Sequence, residues 1–222
     1  MSNGSGLFGS QRAQVPHLVQ PGGGLAGEVA DLRRDIAASL AALAAISVDD
    51  YVNPAAGGVA ALKAATASSI AVQTITSFLA PGLAMLLAFG RNITVTTSGA
   101  TPADAPATVL LTGTYRGLPQ TETINVPQTA TTAVGVKPFD TLESAVYAAG
   151  QGAGALVSIG VGDALGTRQL PRLLGGGYVI VREIAVGVLV TTGALTVEGL
   201  YTPAAAPDGT RDYAIFYPYT PV

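Results

Sequence analysis

The sequence predicts a mainly β protein: a β-sandwich or jelly-roll-like domain preceded by an extended N-terminal arm and a short helical region. Three observations carry this reading. From Arg91 onward, short runs rich in Thr, Val, Ile and Tyr alternate polar and apolar residues and are divided by Gly, Pro and Asp turns, the pattern of hairpin-linked strands. Residues 1–24 are broken by Gly4, Gly6, Gly9, Pro16, Pro21 and the Gly22-Gly23-Gly24 run, which forbid a regular element. Between them, residues 25–90 are rich in Ala, the strongest helix former. The expected boundaries are therefore 1–24 for the arm, 25–90 for the helical region and 91–222 for the β-sandwich domain.

The arm is not a plain linker, because Leu7, Phe8, Val15, Leu18 and Val19 are apolar. A segment of this kind is expected to become ordered on a neighbouring surface. Over residues 25–47, Leu25, Val29, Leu32, Ile36, Leu43 and Ile46 follow spacings of three and four, with Ser39 filling the gap. That is an a/d seam fit to pair with a copy of itself or to pack on the chain's own core. Residues 59–79 are again helix-compatible, with Val59, Leu62, Ile70 and Phe78 as a shared face, although Ser and Thr accumulate toward the end. Pro81-Gly82 breaks the chain, and the short apolar run after it reads equally as strand or buried helix. Strands are then expected at 92–97, 107–114, 121–126, 132–136, 142–148, 155–161, 178–190, 194–201 and 213–219. Turns fall at 116–119, at Gly175-Gly176-Gly177 and at Pro207-Asp208-Gly209.

Composition narrows the function. Hydrophobic residues make up 49% and charged residues 11%, against about 25% charged in an average soluble domain. Mean hydropathy is +0.45. Either the chain enters a membrane or it buries much of its surface against other subunits. The best membrane candidate, Ile75 to Gly90, is shorter than the roughly 20 residues of a span and is interrupted by Pro81 and Gly82. The polar start of the chain lacks the features of a secretory signal. No membrane is therefore expected. A net charge of −3 and a pI near 5.0 supply no basic field, so nucleic acid is not an expected partner. With no cysteine, thiolate metal sites, disulfides and thiol catalysis are excluded.

Catalytic constellations are equally scarce. The one histidine, His17, sits in the arm without partners for a triad or a metal site. Gly160-Val161-Gly162-Asp163-Ala164-Leu165-Gly166 misses the dinucleotide-binding spacing by one residue and reads as a strand end and turn. Asp208-Gly209-Thr210-Arg211-Asp212 lacks the further ligands of a calcium loop and reads as a turn into the last strand. Glu122, Glu143, Glu183 and Glu198 are scattered, with nothing that pairs them for glycoside hydrolysis. No catalytic residue, metal or cofactor is expected. Tyr213, Tyr217 and Tyr219 share one face of the last strand, with Tyr201 nearby. Two readings stay open: a subunit or sugar contact, or an edge strand packing its rings on its own domain.

The stretch from Asn92 to Tyr147, NITVTTSGATPADAPATVLLTGTYRGLPQTETINVPQTATTAVGVKPFDTLESAVY, resembles a family of tailed-bacteriophage structural proteins. Members carry TVTTSG, PADAPATVTVTGTD, TETI and QTATTAVGVKAF in that order. The ending TPAAAPDGTRDYAIFYPYTP and the earlier PGGGLAGEVADLRRDIAASLAALA resemble the same group. The chain departs at Tyr115-Arg116-Gly117, where members more often carry a polar Asp-x-Asx-Gly turn. The resemblance implies a structural component of the virion, made in the host bacterial cytoplasm. A capsid decoration or cement protein that binds and stabilises the head is expected first. A neck or tail adaptor or tube protein and a receptor-binding head fibre are the alternatives. Its partners would be copies of itself, a trimer at first guess, and the major capsid protein or other virion proteins. The expected interface residues are Leu7, Phe8, Val15, Leu18, Leu25, Val29, Leu32, Ile36, Leu43, Tyr213, Tyr217 and Tyr219.

Overall fold

Alternation places one set of side chains inward and the other outward on every well-formed strand. The structure, a computed structural model, describes residues 46–171, 181–185, 188–189 and 193–219. Its strands are β1 (Ile46–Tyr51), β2 (Gly58–Ala67), β3 (Gln73–Ile75), β4 (Arg91–Gly99), β5 (Thr108–Tyr115), β6 (Leu118–Asn125) and β7 (Thr132–Phe139). They continue with β8 (Thr141–Tyr147), β9 (Ala155–Gly166), β10 (Val181–Ala185), β11 (Val188–Leu189), β12 (Ala194–Leu195), β13 (Leu200–Thr202) and β14 (Asp212–Pro218). One α-helix, α1, spans Ala80–Phe89. The chain is mainly β, and its sheets are antiparallel.

Two sheets face each other as a sandwich. One has the order β12-β13-β9-β4-β7, with β2 also paired to β9; the other has the order β3-β8-β5-β6. Between them Ile93, Val95, Val157, Ile159 and Val161 of the β9 sheet share a core with Val109, Leu111, Ile124, Ala145 and Tyr147 of the β5 sheet. Leu62 of β2 and Leu86 of α1 belong to the same core, both with no exposed surface. Burying each such large apolar side chain contributes roughly 1.5–3 kcal/mol. A third sheet, β1-β14-β10-β11, encloses a second core of Tyr51, Leu165, Tyr201, Tyr213, Ile215 and Tyr217. The long strand β9 serves both cores, with Val157 to Val161 in the first and Leu165 in the second.

The β-rich expectation holds, and the expected strands between residues 92 and 161 appear within a few residues of their predicted ends. The helical region does not extend as predicted. Residues 46–79 carry β1, β2 and β3, and only Ala80–Phe89 is helical. No boundary falls at residue 91 either: β1 pairs with β14, β2 with β9 and β3 with β8, and residues 46–222 form one compact unit. Intrinsic helix propensity separates ordinary residues by at most about 0.7 kcal/mol each. A ladder and a buried core outweigh it.

The small residues of β2 serve close approach instead. A Cβ on Gly160 would meet the Gly58 carbonyl oxygen at 2.2 Å, so β2 crosses β9 where neither has a side chain. Val59, Leu62, Ile70 and Phe78 therefore share no face: Leu62 is buried, Phe78 half-buried, and Val59 and Ile70 are exposed. The apolar run after Pro81 resolves as helix, with Pro81 in its first turn and Gly90 at its C-cap. The predicted arm at 1–24 and residues 25–45 of the helix predicted over 25–47 lie outside the described residues; Ile46, the last residue of its seam, opens β1 instead.

Candidate functional site

The C-terminal tyrosines build a core rather than a surface. β14 lies between β1 and β10, so it is not an edge strand. Tyr213 and Tyr217 are 2% and 1% exposed, which removes both from the expected interface; Tyr219 is half-buried against the same cluster. Tyr213 donates its hydroxyl to the Ala205 carbonyl. Tyr217 donates to Asp49 Oδ2 at 2.7 Å and accepts the Gln169 N–H at 2.9 Å. Asp49, itself 1% exposed, also accepts the Arg168 N–H at 2.7 Å. Tyr51 gives its proton to the Gly166 carbonyl at 2.7 Å. Tyr115 donates to the carbonyl of Thr167. This network ties residues 166–169 to β1, β5 and β14. Burial holds the phenols of Tyr51 and Tyr115 well above the ordinary tyrosine range and pushes those of Tyr147 and Tyr217 up to about 12.

What faces outward is the outer side of the β5 sheet. The register aligns Thr74, Val146, Leu110 and Thr123 in one row across all four strands. Ser144, Thr112 and Thr121 form the next row, and Thr141, Thr114 and Pro119 the third. The Thr114 and Thr141 hydroxyls lie 2.8 Å apart. These rows hold no charged residue; Glu143, the extra residue at a bulge in β8, and Lys137, whose Nζ reaches the Thr121 carbonyl, lie beside them. Sequence reading found the strands, but their shared row became visible only with the pairing.

Clefts also open among the described residues. The first, of about 340 Å³, lies over the β9 sheet between Gly58, Val59, Thr94, Val134 and Gly162. Its floor is irregular because both neighbours of β4 slip register beside Asn92. Asn92 spans the two slips, donating to the Gly135 carbonyl and accepting the Ala164 N–H. Beside it, buried Arg91 donates to the carbonyls of Gly162 and Ala55 and lies 3.9 Å from Asp163. The second cleft is bordered by Asp50, Phe89, Tyr115, Arg116, Asp140 and Arg168, and the third by Leu118, Lys137, Leu170 and Glu198. Asp50 and Asp140 share the second opening. Asp140 is engaged there with the backbone N–H of Arg116, which holds the β5–β6 turn.

The sequence candidates for chemistry resolve as structure. Gly160 to Gly166 forms the end of β9, as expected, but holds no turn; Gly160 faces the close approach of β2 and Gly162 that of Asn92. Asp208 caps its turn, accepting from Thr210 and Arg211, and those bonds hold its carboxyl down to about 2. Glu122 is buried, Glu143 is exposed and Glu198 borders the third cleft. Among the described residues no group of three or more His, Cys, Asp or Glu is placed to hold a metal ion, and no helix is long and apolar enough to cross a membrane. Leu7, Phe8, Val15, Leu18, Leu25, Val29, Leu32, Ile36 and Leu43 lie outside the described residues. No protein-family model, curated protein or solved structure matches the chain.

Proposed function

We propose that the chain is a structural component of a bacteriophage particle that binds the head as a decoration or cement protein, working as a homo-oligomer. The observation that carries this reading is the outer face of the β5 sheet, four strands wide and made of Thr, Ser, Val, Leu and Pro. Charged residues are depleted at the cores of protein interfaces, and a face without them meets another protein at little desolvation cost. The same strands carry much of the stretch that resembles tailed-phage structural proteins, and a charged content of 11% suits a chain with few faces left to water. The work is mechanical: many weak contacts, repeated by symmetry, hold neighbouring capsomers together.

Electron cryomicroscopy of intact particles tests the reading. Copies repeated over the head lattice, with the β5 sheet turned to the shell, are the expected result. A single ring at the portal vertex or copies along the tail would replace it with the adaptor or tube role. Copies projecting from the head with that face free would favour a receptor-binding fibre.

A further inference from the structure

The sandwich is nearly closed along one side. β6 is the edge of one sheet and β7 the edge of the other, and no ladder joins them among the described residues. They nevertheless run alongside each other through side chains. Gln120 Nε2 donates to the Pro138 carbonyl at 3.5 Å, Lys137 Nζ donates to the Thr121 carbonyl at 2.9 Å, and Glu122 Oε1 accepts the Val136 N–H at 2.6 Å. Residues 120, 121 and 122 thus face 138, 137 and 136. The Lys137 bridge is exposed to solvent and the Gln120 bridge is long. The Glu122 bridge is the buried one, with 8% of that residue exposed.

Its second oxygen has no donor. Glu122 Oε2 is buried without a hydrogen-bond partner. A Cβ built on Gly135 would lie 2.7 Å from that oxygen and 2.8 Å from the Ile93 carbonyl oxygen. Two acceptors therefore border the same space, and Glu122 Oε2 is without a donor in it. An ionised carboxylate placed there is unsolvated on one side and faces a carbonyl dipole. A neutral carboxyl keeps the Val136 bond through its carbonyl oxygen and gains an O–H to donate.

We propose that the β6–β7 seam is a proton-operated latch, held shut by the neutral Glu122 carboxyl and loosened when that carboxyl ionises. Its opening frees two strand edges, which are the surfaces by which sheets add a strand from another chain. The surroundings agree in direction. Burial raises the Glu122 pKa, while the N–H groups of Val136 and Lys137 and the Lys137 charge pull it back. From β5, the ionisable side chain is Tyr115, whose hydroxyl is committed to Thr167 and Gly199. From β4, Arg91 is turned to Gly162, Ala55 and Asp163.

The test follows two signals in the full chain by NMR from about pH 4 to about pH 8, a window around the ordinary glutamate value. One is the titration of the Glu122 carboxyl carbon; the other is the hydrogen-exchange protection factor of the Val136 amide. The expected result is a Glu122 midpoint above about 4.3. With it, Val136 protection falls roughly tenfold as pH rises through that midpoint. In Glu122→Gln the protection stays constant over the range. A midpoint at or below about 4.3, or a Val136 protection factor that ignores the titration, overturns the latch. So does a pH-dependent fall that survives in Glu122→Gln. The two wild-type signals decide the matter even where that variant fails to fold.

Discussion

Asp49 has almost no exposed surface, and a carboxylate in that position is tolerable only when donors surround it. Tyr217 O–H and Arg168 N–H supply them, with Ser47 Oγ at 3.3 Å on the other oxygen. Tyr217→Phe takes one away while keeping the ring in the core. The expected cost is about 1–3 kcal/mol of unfolding free energy, read from urea midpoints. A loss below about 0.5 kcal/mol would mean that water replaces the hydroxyl freely. The phenols give a second test, made clean by the absence of tryptophan among the chain's eight tyrosines. A phenol whose folded pKa stands above its unfolded value contributes stability fully present below about pH 10. For Tyr147 and Tyr217 that contribution is lost as pH rises through about 12. In an alkaline titration followed by phenolate absorbance, Tyr51, Tyr115, Tyr147 and Tyr217 are expected to ionise late and together with unfolding. More than four of the eight phenolates appearing near pH 10 without loss of structure would contradict their burial.

Strands and turns obey two different glycine rules, and substitution separates them. Arg116 and Gly117 both have positive φ, 55° and 73°, the pair required by a two-residue hairpin turn between β5 and β6. A Cβ at 117 meets nothing within 4 Å, so Gly117→Ala bears only the backbone cost, about 1 kcal/mol. At Gly160 the backbone is ordinary but the space is filled by the Gly58 carbonyl, 2.2 Å from an added Cβ. Gly160→Ala must push β2 off β9 and is expected to cost more than Gly117→Ala, about 1–3 kcal/mol or beyond. Equal midpoints for the two variants would show that β2 yields easily. The same contrast explains which elements the sequence made legible. From Asn92 on, each strand is written in its own alternation and ended by its own turn residues. Residues 46–79 carry strands because of partners far away in the chain: β1 pairs with β14 and β2 with β9. The Ala content of β2 carries no local trace of its partner, and read alone it favours helix. Tyr213 and Tyr217 are similar. Their shared face follows from spacing, but its inward direction is set by Asp49 on another strand.

At the scale of the whole molecule, the rows of the β5 sheet become a surface only once four strands are in register. That is why a pattern legible as Thr alternation on β5 and β6 did not announce a site. The face makes a prediction that separates folding from assembly. Leu110 stands in its first row, 41% exposed, and Thr121 is exposed on the neighbouring strand. Leu110→Glu or Thr121→Lys places one charge in rows that hold none, without touching either core. The expected change in unfolding free energy is within about 0.5 kcal/mol, as for surface substitutions away from special features. Binding to heads lacking the protein is expected to weaken by about 2 kcal/mol or more, because a charge buried at an interface core loses its water without gaining a partner. Leu87→Glu, on the outer side of α1 and 74% exposed, is the matched control and should bind as the wild type does. If both face variants bind normally, the capsid contact lies elsewhere on the chain. If Leu87→Glu fails together with Leu110→Glu while Thr121→Lys, of opposite sign, binds normally, added negative charge rather than the face is what the head rejects.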